Sequence, residues 1–422
     1  MKEYLKRENL VCEMEFKKEI LLFLIFIQIV AVLFLGFNMV KDTYLSNNSY
    51  KCKECNIVLI IIDTVRADHI SFYGYHKNTT PNLDSLAKKG VFFNQAISQG
   101  SWTATSVPSL ITSRYPSTIE VYLFSDTNIL AREIPTLPKV LQKKGYRTAF
   151  ISSHPLLFVE EVGMFETFIK SDGAKADNLT NEAIQWIREN GEDRFFLQLH
   201  YMDVHDIPFF GNQTTLEEGI SMYDEALTFT DSNINRLIEE LNKLGIEDKT
   251  IIVFTSDHGE GINDHEQLFE HSAYLYDYLI NVPLIIYNPK AKITGYNVDC
   301  QVQLVDIVPT MLNILGVKEQ ESFQGKNLFQ YTQFDVCTDS SISEHIQFEF
   351  YPDDAIYLYE LKSFRVGKWH LIQNLSSEKE PFELYNLEED ARELNNLIDN
   401  YTELKPELNT EIIKRIENRT LI

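Results

Sequence analysis

Three short apolar runs in this chain end in residues that carry chemistry. The run 57–62 leads into Asp63-Thr64-Val65-Arg66, the run 195–200 into Tyr201-Met202-Asp203-Val204-His205, and the run 250–255 into Ser256-Asp257-His258-Gly259-Glu260. Asp63, Asp257 and His258 offer hard carboxylate oxygens and an imidazole nitrogen, donors suited to a divalent cation. A cation held by such groups acts as a Lewis acid and makes a hydroxyl or water beside it a better nucleophile. The competing role for each aspartate is to cap the helix after its strand. Three polar clusters at three strand ends favour a site, because open α/β sheets bind ligands outside the carboxyl ends of their strands.

The elements that must position these residues follow from the hydrophobic pattern. Residues 57–62 form a continuous apolar run of the kind buried on both faces of a parallel sheet. Further strands are expected at 148–152, 195–200, 250–255 and 282–287, with helices at 83–89, 137–144, 178–190, 223–244 and 307–315. Strands alternating with helices predict a doubly wound, mostly parallel α/β sheet. After Gly316 a polar stretch runs to Ser341, followed by alternating segments at 364–372 and 382–387 and a charged helix near the end. The expected organisation is a catalytic domain over 56–318 and a smaller C-terminal α+β subdomain over 319–422.

The chain of 422 residues is 44% hydrophobic and carries a formal net charge of −24, which argues against disorder and against nucleic acid as a partner. Residues 20–40 are almost wholly apolar and long enough to span a bilayer as one helix. Asn38-Met39-Val40-Lys41 offers no small-residue cleavage site, so an uncleaved anchor is expected. Lys2, Lys6, Arg7, Lys17 and Lys18 precede that run and fewer bases follow it closely, which predicts a cytoplasmic tail over 1–19, a transmembrane helix over 20–40 and a linker over 41–55. The cell membrane is then the expected location, with the catalytic domain outside. Asn-x-Ser/Thr sequons, among them Asn78, Asn178 and Asn374, agree with an external domain but also arise by chance in an Asn-rich chain. The five cysteines allow Cys52 to pair with Cys55 and Cys300 with Cys337, or all four to be free thiols.

The motifs resemble the sulfatase family of the alkaline phosphatase superfamily. The run ending at Asp63 is similar to that family's first strand, Thr80-Pro81-Asn82-Leu83-Asp84-Ser85-Leu86-Ala87 to its next motif, and Leu110-Ile111-Thr112-Ser113-Arg114-Tyr115-Pro116 to the segment beyond its nucleophile. Thr255-Ser256-Asp257-His258-Gly259-Glu260 resembles its late metal motif. Val282-Pro283-Leu284-Ile285-Ile286, Asp306-Ile307-Val308-Pro309-Thr310 and Glu383-Leu384-Tyr385-Asn386-Leu387 extend the likeness almost to the C-terminus.

The resemblance implies a divalent metal (manganese, calcium or magnesium, with zinc also accommodated by His258) and a nucleophile on the loop ahead of Leu110. Counting back from Leu110-Ile111-Thr112-Ser113-Arg114 puts Thr103 where the family has the cysteine it converts to formylglycine; a second register would put Ser106 there. Thr64 and Val107 replace the family's second aspartate and signature arginine. The implied metal set is Asp63, Thr103, Asp257 and His258, similar to the single-metal sites of phosphoethanolamine and phosphoglycerol transferases. His205 resembles the family's histidine that contacts ester oxygens, His265 and His271 fall where further substrate-binding groups stand, and Arg114 would anchor the nucleophile loop. Arg66 could bind an anion or pair with Asp68. His69, His76, His154, His345 and His370 are assigned to structure. The implied function is sulfate or phosphate ester hydrolysis or transfer through Thr103, with phosphoryl chemistry favoured, on an anionic ester such as an envelope glycan or lipid. The alternatives are a true sulfatase and an inactive glycan-binding relative; oligomeric state is left open.

Overall fold

The computed structural model describes residues 50–119, 134–154, 164–206, 215–265, 267–271, 274–291, 294–318, 320–329, 340–350, 356–376 and 382–399. The apolar run 20–40 and the charged C-terminal helix expected from the sequence lie outside them. Among the described residues no helix is long and apolar enough to cross a membrane.

Strand β1 (Asn56–Ile62) is buried at every position. Ile57, Leu59 and Ile61 join one hydrophobic core, whereas Val58, Ile60 and Ile62 join another. That alternation explains the unbroken apolar run, since a strand covered on both faces has no solvent side. The elements that follow are α1 (Pro81–Lys89), β2 (Val91–Ile97), α2 (Thr103–Thr112), α3 (Leu137–Gln142), β3 (Arg147–Ser152), β4 (Thr167–Lys170), α4 (Ala176–Asn190), β5 (Phe195–Tyr201), α5 (Leu216–Lys243) and β6 (Thr250–Thr255). A hairpin of β7 (Gly261–Asp264) and β8 (Gln267–Glu270) precedes β9 (Asn281–Tyr287), β10 (Tyr296–Gln303) and α6 (Ile307–Ile314). The chain then forms β11 (Ser340–Phe350), β12 (Ile356–Val366), β13 (Trp369–Asn374) and β14 (Phe382–Asn386).

The main sheet has the order β10-β2-β9-β6-β1-β5-β3-β4. Pairs β1–β5, β1–β6, β3–β5, β3–β4 and β10–β2 are parallel, and β9 runs antiparallel between β2 and β6. Side chains of α2, α3 and α6 pack in the core on one face of this sheet, those of α1, α4 and α5 in the core on the other. The doubly wound, mostly parallel arrangement expected from the sequence is therefore present, with one strand reversed. The C-terminal sheet β11-β12-β13-β14 is wholly antiparallel. The single segment expected at 364–372 is in fact the end of β12, a turn at Gly367 and β13, because φ +55° at that glycine reverses the chain.

Among the elements that escaped the pattern, two show the physical reason. Strand β2 is interrupted by Asn94 and Gln95 at a register shift against β9. Helix α2 is rich in Ser and Thr and contains Pro108, a composition that favours turns in isolation. It is helical because eight of its residues are buried, and Ser106, Ser109 and Thr112 satisfy their hydroxyls within the helix by donating to carbonyls one turn back. Helix α5 begins two turns ahead of its apolar periodicity, where Thr215 and Glu218 form a reciprocal capping box.

Leu59, 1% exposed at the centre of the sheet, tests this account. Leu59→Ala should cost about 2–5 kcal/mol of stability, read as a lower denaturant midpoint with an unchanged slope. A loss below about 1 kcal/mol would mean that the two-faced core is not close-packed at β1.

Candidate active site

Parallel neighbours β1, β5 and β6 deliver their carboxyl ends to one edge of the sheet, and the loops that follow are tied together there. The Asp63 N–H donates to the Tyr201 carbonyl at 2.9 Å. The Ser256 hydroxyl accepts from Val65 N–H at 2.9 Å and lies 2.7 Å from the carbonyl oxygens of both Ile62 and His258, bridging the loops after β1 and β6. The Tyr223 hydroxyl, from α5, donates to the Thr64 carbonyl at 2.7 Å and accepts from Arg66 N–H at 3.0 Å. These clamps hold Thr64 at φ +59°, a left-handed conformation that a β-branched residue adopts only when its surroundings impose it. Gly259 permits a close approach, since a Cβ there would stand 2.0 Å from the Tyr278 carbonyl oxygen.

Asp63, Asp257 and His258 meet at this edge with no solvent exposure, one ligand atom of each within 4.8 Å of the others. Thr103, the first residue of α2, points its hydroxyl among them: Oγ1 lies 3.1 Å from Asp63 Oδ2 and 3.4 Å from His258 Nε2. The Ser106 hydroxyl instead donates to the Trp102 carbonyl at 2.9 Å, one turn back along α2. Thr64 contributes no ligand, because its hydroxyl donates to the Asp63 carbonyl at 2.7 Å.

The charges of these groups depend on one another. Burial would raise the Asp63 carboxyl, but the hydrogen bond from His200 and the His200 charge outweigh it and hold Asp63 well below the usual carboxylate range. Burial and the neighbouring Asp63 charge push Asp257 up to about 7. Burial and the charge on His271 lower His258 to about 3, so its ring is neutral. Nδ1 of that ring lies 2.9 Å from the Gly259 carbonyl and donates to it, leaving the Nε2 lone pair toward the carboxylates. Asp63 Oδ1 and Asp257 Oδ2 are buried with no hydrogen-bond partner. Orphaned carboxylate oxygens facing an imidazole lone pair and a hydroxyl fit a divalent cation, which would satisfy all of them at once.

A row of histidines leads outward. The His271 ring lies 4.6 Å from that of His258 and 5.2 Å from that of His205, which is partly exposed. Nδ1 of His271 faces Glu260 at 3.2 Å; burial alone would lower this imidazole, but the Glu260 hydrogen bond and charge raise it. His205 is likewise raised, to about 9, because its bond to Asp206 and nearby carboxylates outweigh its burial.

Other residues singled out from the sequence fall elsewhere. His265 lies flat on Tyr276 at 3.7 Å, and its Nε2 donates to the Arg392 carbonyl at 3.0 Å, so it fastens the C-terminal segment. Arg114 follows the C-terminal end of α2, the opposite end from Thr103. Arg66 is saturated by Asp68, Asp264 and the Glu260 carbonyl, so pairing wins over anion binding. His69 and His370 bond Asp224 and Glu393, in keeping with structural roles. The sequence reading missed Glu260 as the partner of His271, and it missed His200, whose Nε2 is 3.1 Å from Asp63 Oδ2. His200 occupies an inward position of an apolar strand, where only the strand register places it beside Asp63.

The raised Asp257 carboxyl leaves the cation-free pair one proton below about pH 7. Cation binding should then release about one proton at pH 6 and almost none at pH 8. Calorimetry in buffers of different ionisation enthalpy measures this directly. Equal release at both values would show that Asp257 holds no proton in the cation-free protein.

Residues 55–317 match the sequence profile described as Sulfatase, and residues 265–419 the profile described as N-sulphoglucosamine sulphohydrolase, C-terminal. An ulvan-active sulfatase of Formosa agariphila is 24% identical over 65% of this chain and 64% of its own length. Arylsulfatase K of Mus musculus is 30% identical over 43% of this chain and 33% of its own. The chain thus spans less than two thirds of the length of each of these curated relatives. The solved phosphonate monoester hydrolase of Agrobacterium radiobacter superposes with a TM-score of 0.71 at 16% identity, covering 86% of this chain and 96% of that one. With its first profile covering more than half the sequence and the fold and strand-end motifs in agreement, this chain belongs to the sulfatase family.

Proposed function

We propose that this protein is a metal-dependent hydrolase or transferase of anionic esters in which Thr103 is the nucleophile and phosphoryl transfer is the favoured reaction. The observation that carries the reading is the Thr103 hydroxyl at the N-terminus of α2, between Asp63 and His258. Asp63, Asp257, His258 and Thr103 would hold the divalent cation. When bound, it would lower the pKa of the Thr103 hydroxyl and offset the charge of the ester.

The Thr103 O–H points at Asp63 Oδ2, which aims Oγ1, and Asp257, the more basic carboxyl of the pair, accepts the proton as Oγ1 forms a bond to phosphorus. His205 and His271 favour their protonated forms, so each can donate to the leaving alcohol oxygen as its bond to phosphorus breaks. Glu260 occupies Nδ1 of His271, which leaves Nε2 for that transfer. Water or an acceptor alcohol then attacks phosphorus, frees Thr103 and carries the phosphoryl group away. A sulfated threonine lacks the route that a formylglycine hydrate has, collapse to an aldehyde with loss of sulfate. A second reading, sulfate-ester hydrolysis on a glycan, is favoured by the ulvan-active relative.

Activity outside the cell membrane fits the covalent chemistry of the chain. Cys52 and Cys55 form a disulfide and Cys300 is also disulfide-bonded, as suits an oxidising compartment. Protease added to intact cells should degrade the catalytic domain; protection until lysis would refute this orientation.

Thr103→Ala should reduce turnover by more than the ~10²–10⁴-fold expected for loss of an acid-base group, and Thr103→Ser should retain part of it. Aryl phosphate, aryl phosphodiester and aryl sulfate assayed in parallel decide the ester class. Rapid quench with a phosphoester should leave a phosphoryl group on the Thr103 peptide. Aryl sulfate turnover with no phosphoester activity would select the second reading.

A further inference from the structure

We infer that His200 is a positioning residue of the metal centre: its Nε2–H holds Asp63 in the orientation that the cation requires. The inference rests on the reading that Asp63, Asp257 and His258 bind a divalent cation. The imidazole of His200 is fully buried and comes from the end of β5, in register with Ile61 on one side and Ser152 on the other. Nε2 is 3.1 Å from Asp63 Oδ2 and 3.9 Å from Asp257 Oδ2. Nδ1 has no hydrogen-bond partner. The whole polar engagement of a buried ring is therefore with the carboxylates of the centre.

Its orientation is fixed by its surroundings. The His154 ring stacks on His200 with centroids 5.7 Å apart and planes 18° from parallel. The His200 carbonyl accepts from Ser153 N–H at 3.2 Å, which fastens the strand end that carries the ring. A donor fixed in this way acts on one oxygen of Asp63 and not the other. Oδ2 takes the His200 N–H and the Thr103 hydroxyl, while Oδ1 has no hydrogen bond and lies 3.4 Å from His258 Nε2. The carboxylate is thereby presented with its free oxygen toward the imidazole that shares the cation. Hydrogen-bond partners of ligating carboxylates contribute to affinity, and their loss typically weakens metal binding ~10–100-fold. Thr64, whose hydroxyl is turned to the main chain, offers no second ligand from the same loop. The orientation of Asp63 accordingly matters more here than in a site with a neighbouring carboxylate.

The test compares Mn²⁺ and Zn²⁺ affinity, by competition with a chelator, in the purified protein and in His200→Leu, His200→Gln and His200→Asn. Circular dichroism and thermal unfolding in EDTA monitor the cation-free fold. His200→Leu should bind about 10–100-fold more weakly with its cation-free unfolding temperature little changed. His200→Gln, whose amide N–H reaches the Nε2 position, should recover most of the affinity, and His200→Asn, whose N–H falls at the Nδ1 position, should not. If the Leu variant does not fold, the Gln and Asn pair decides alone. Equal affinity in Gln and Asn, or wild-type affinity in Leu, would overturn the inference while leaving the cation site intact. Absence of cation binding by the unmodified protein would overturn both.

Discussion

Two carboxylates and an imidazole with no access to water meet at the end of β1 and β6, and the architecture around them answers to that fact. Like charges at this distance in a low-dielectric interior cannot both remain ionised without compensation, which is why Asp63 and Asp257 are driven in opposite directions. Nearby hydrogen bonds therefore serve to set positions that electrostatics alone would push apart. Ser256 joins the two loops, Tyr223 holds the peptide after Asp63, and Ser98 ties the end of β2 to the Asp257 carbonyl. A rigid frame of this kind retains the cost of close charges until a cation removes it.

The parallel arrangement makes the convergence feasible. Side by side, β5, β1 and β6 place their carboxyl ends within one layer, so residues remote in sequence meet without long loops. Antiparallel β9, next in the sheet, brings its preceding segment back to the same edge, where the Gly259 N–H donates to the Leu279 carbonyl. The reversed strand thus closes the side of the site that a further parallel strand would leave open.

Much of this was legible from residue order. The buried strands β1, β5 and β6 advertise themselves as unbroken apolar runs, and Asp63, Asp257 and His258 follow them where chemistry is expected. Thr103 was found only through likeness to a family, because a Ser/Thr-rich segment with an internal proline carries no periodic helical signal. His265 misled for the opposite reason: its spacing from recognisable motifs was informative, but its direction was not. A ring stack on Tyr276 captured it. His200 closes a hydrophobic run, and the neighbour it meets depends on a strand register that no local pattern reveals.

The loop that delivers Thr103 does not complete itself. Glu344 N–H donates to the Gln99 carbonyl at 2.9 Å and the Ser343 hydroxyl to the Ser98 carbonyl, so β11 supplies the outer wall of a turn more than two hundred residues upstream. During synthesis the sheet and its first ligand emerge long before residue 344 does. The turn receives these partners only after residue 344 has been made, and an earlier fragment would present its carbonyls to water. Order of emergence thus leaves the turn ahead of Thr103 without its outer wall until the carboxyl-terminal sheet has docked.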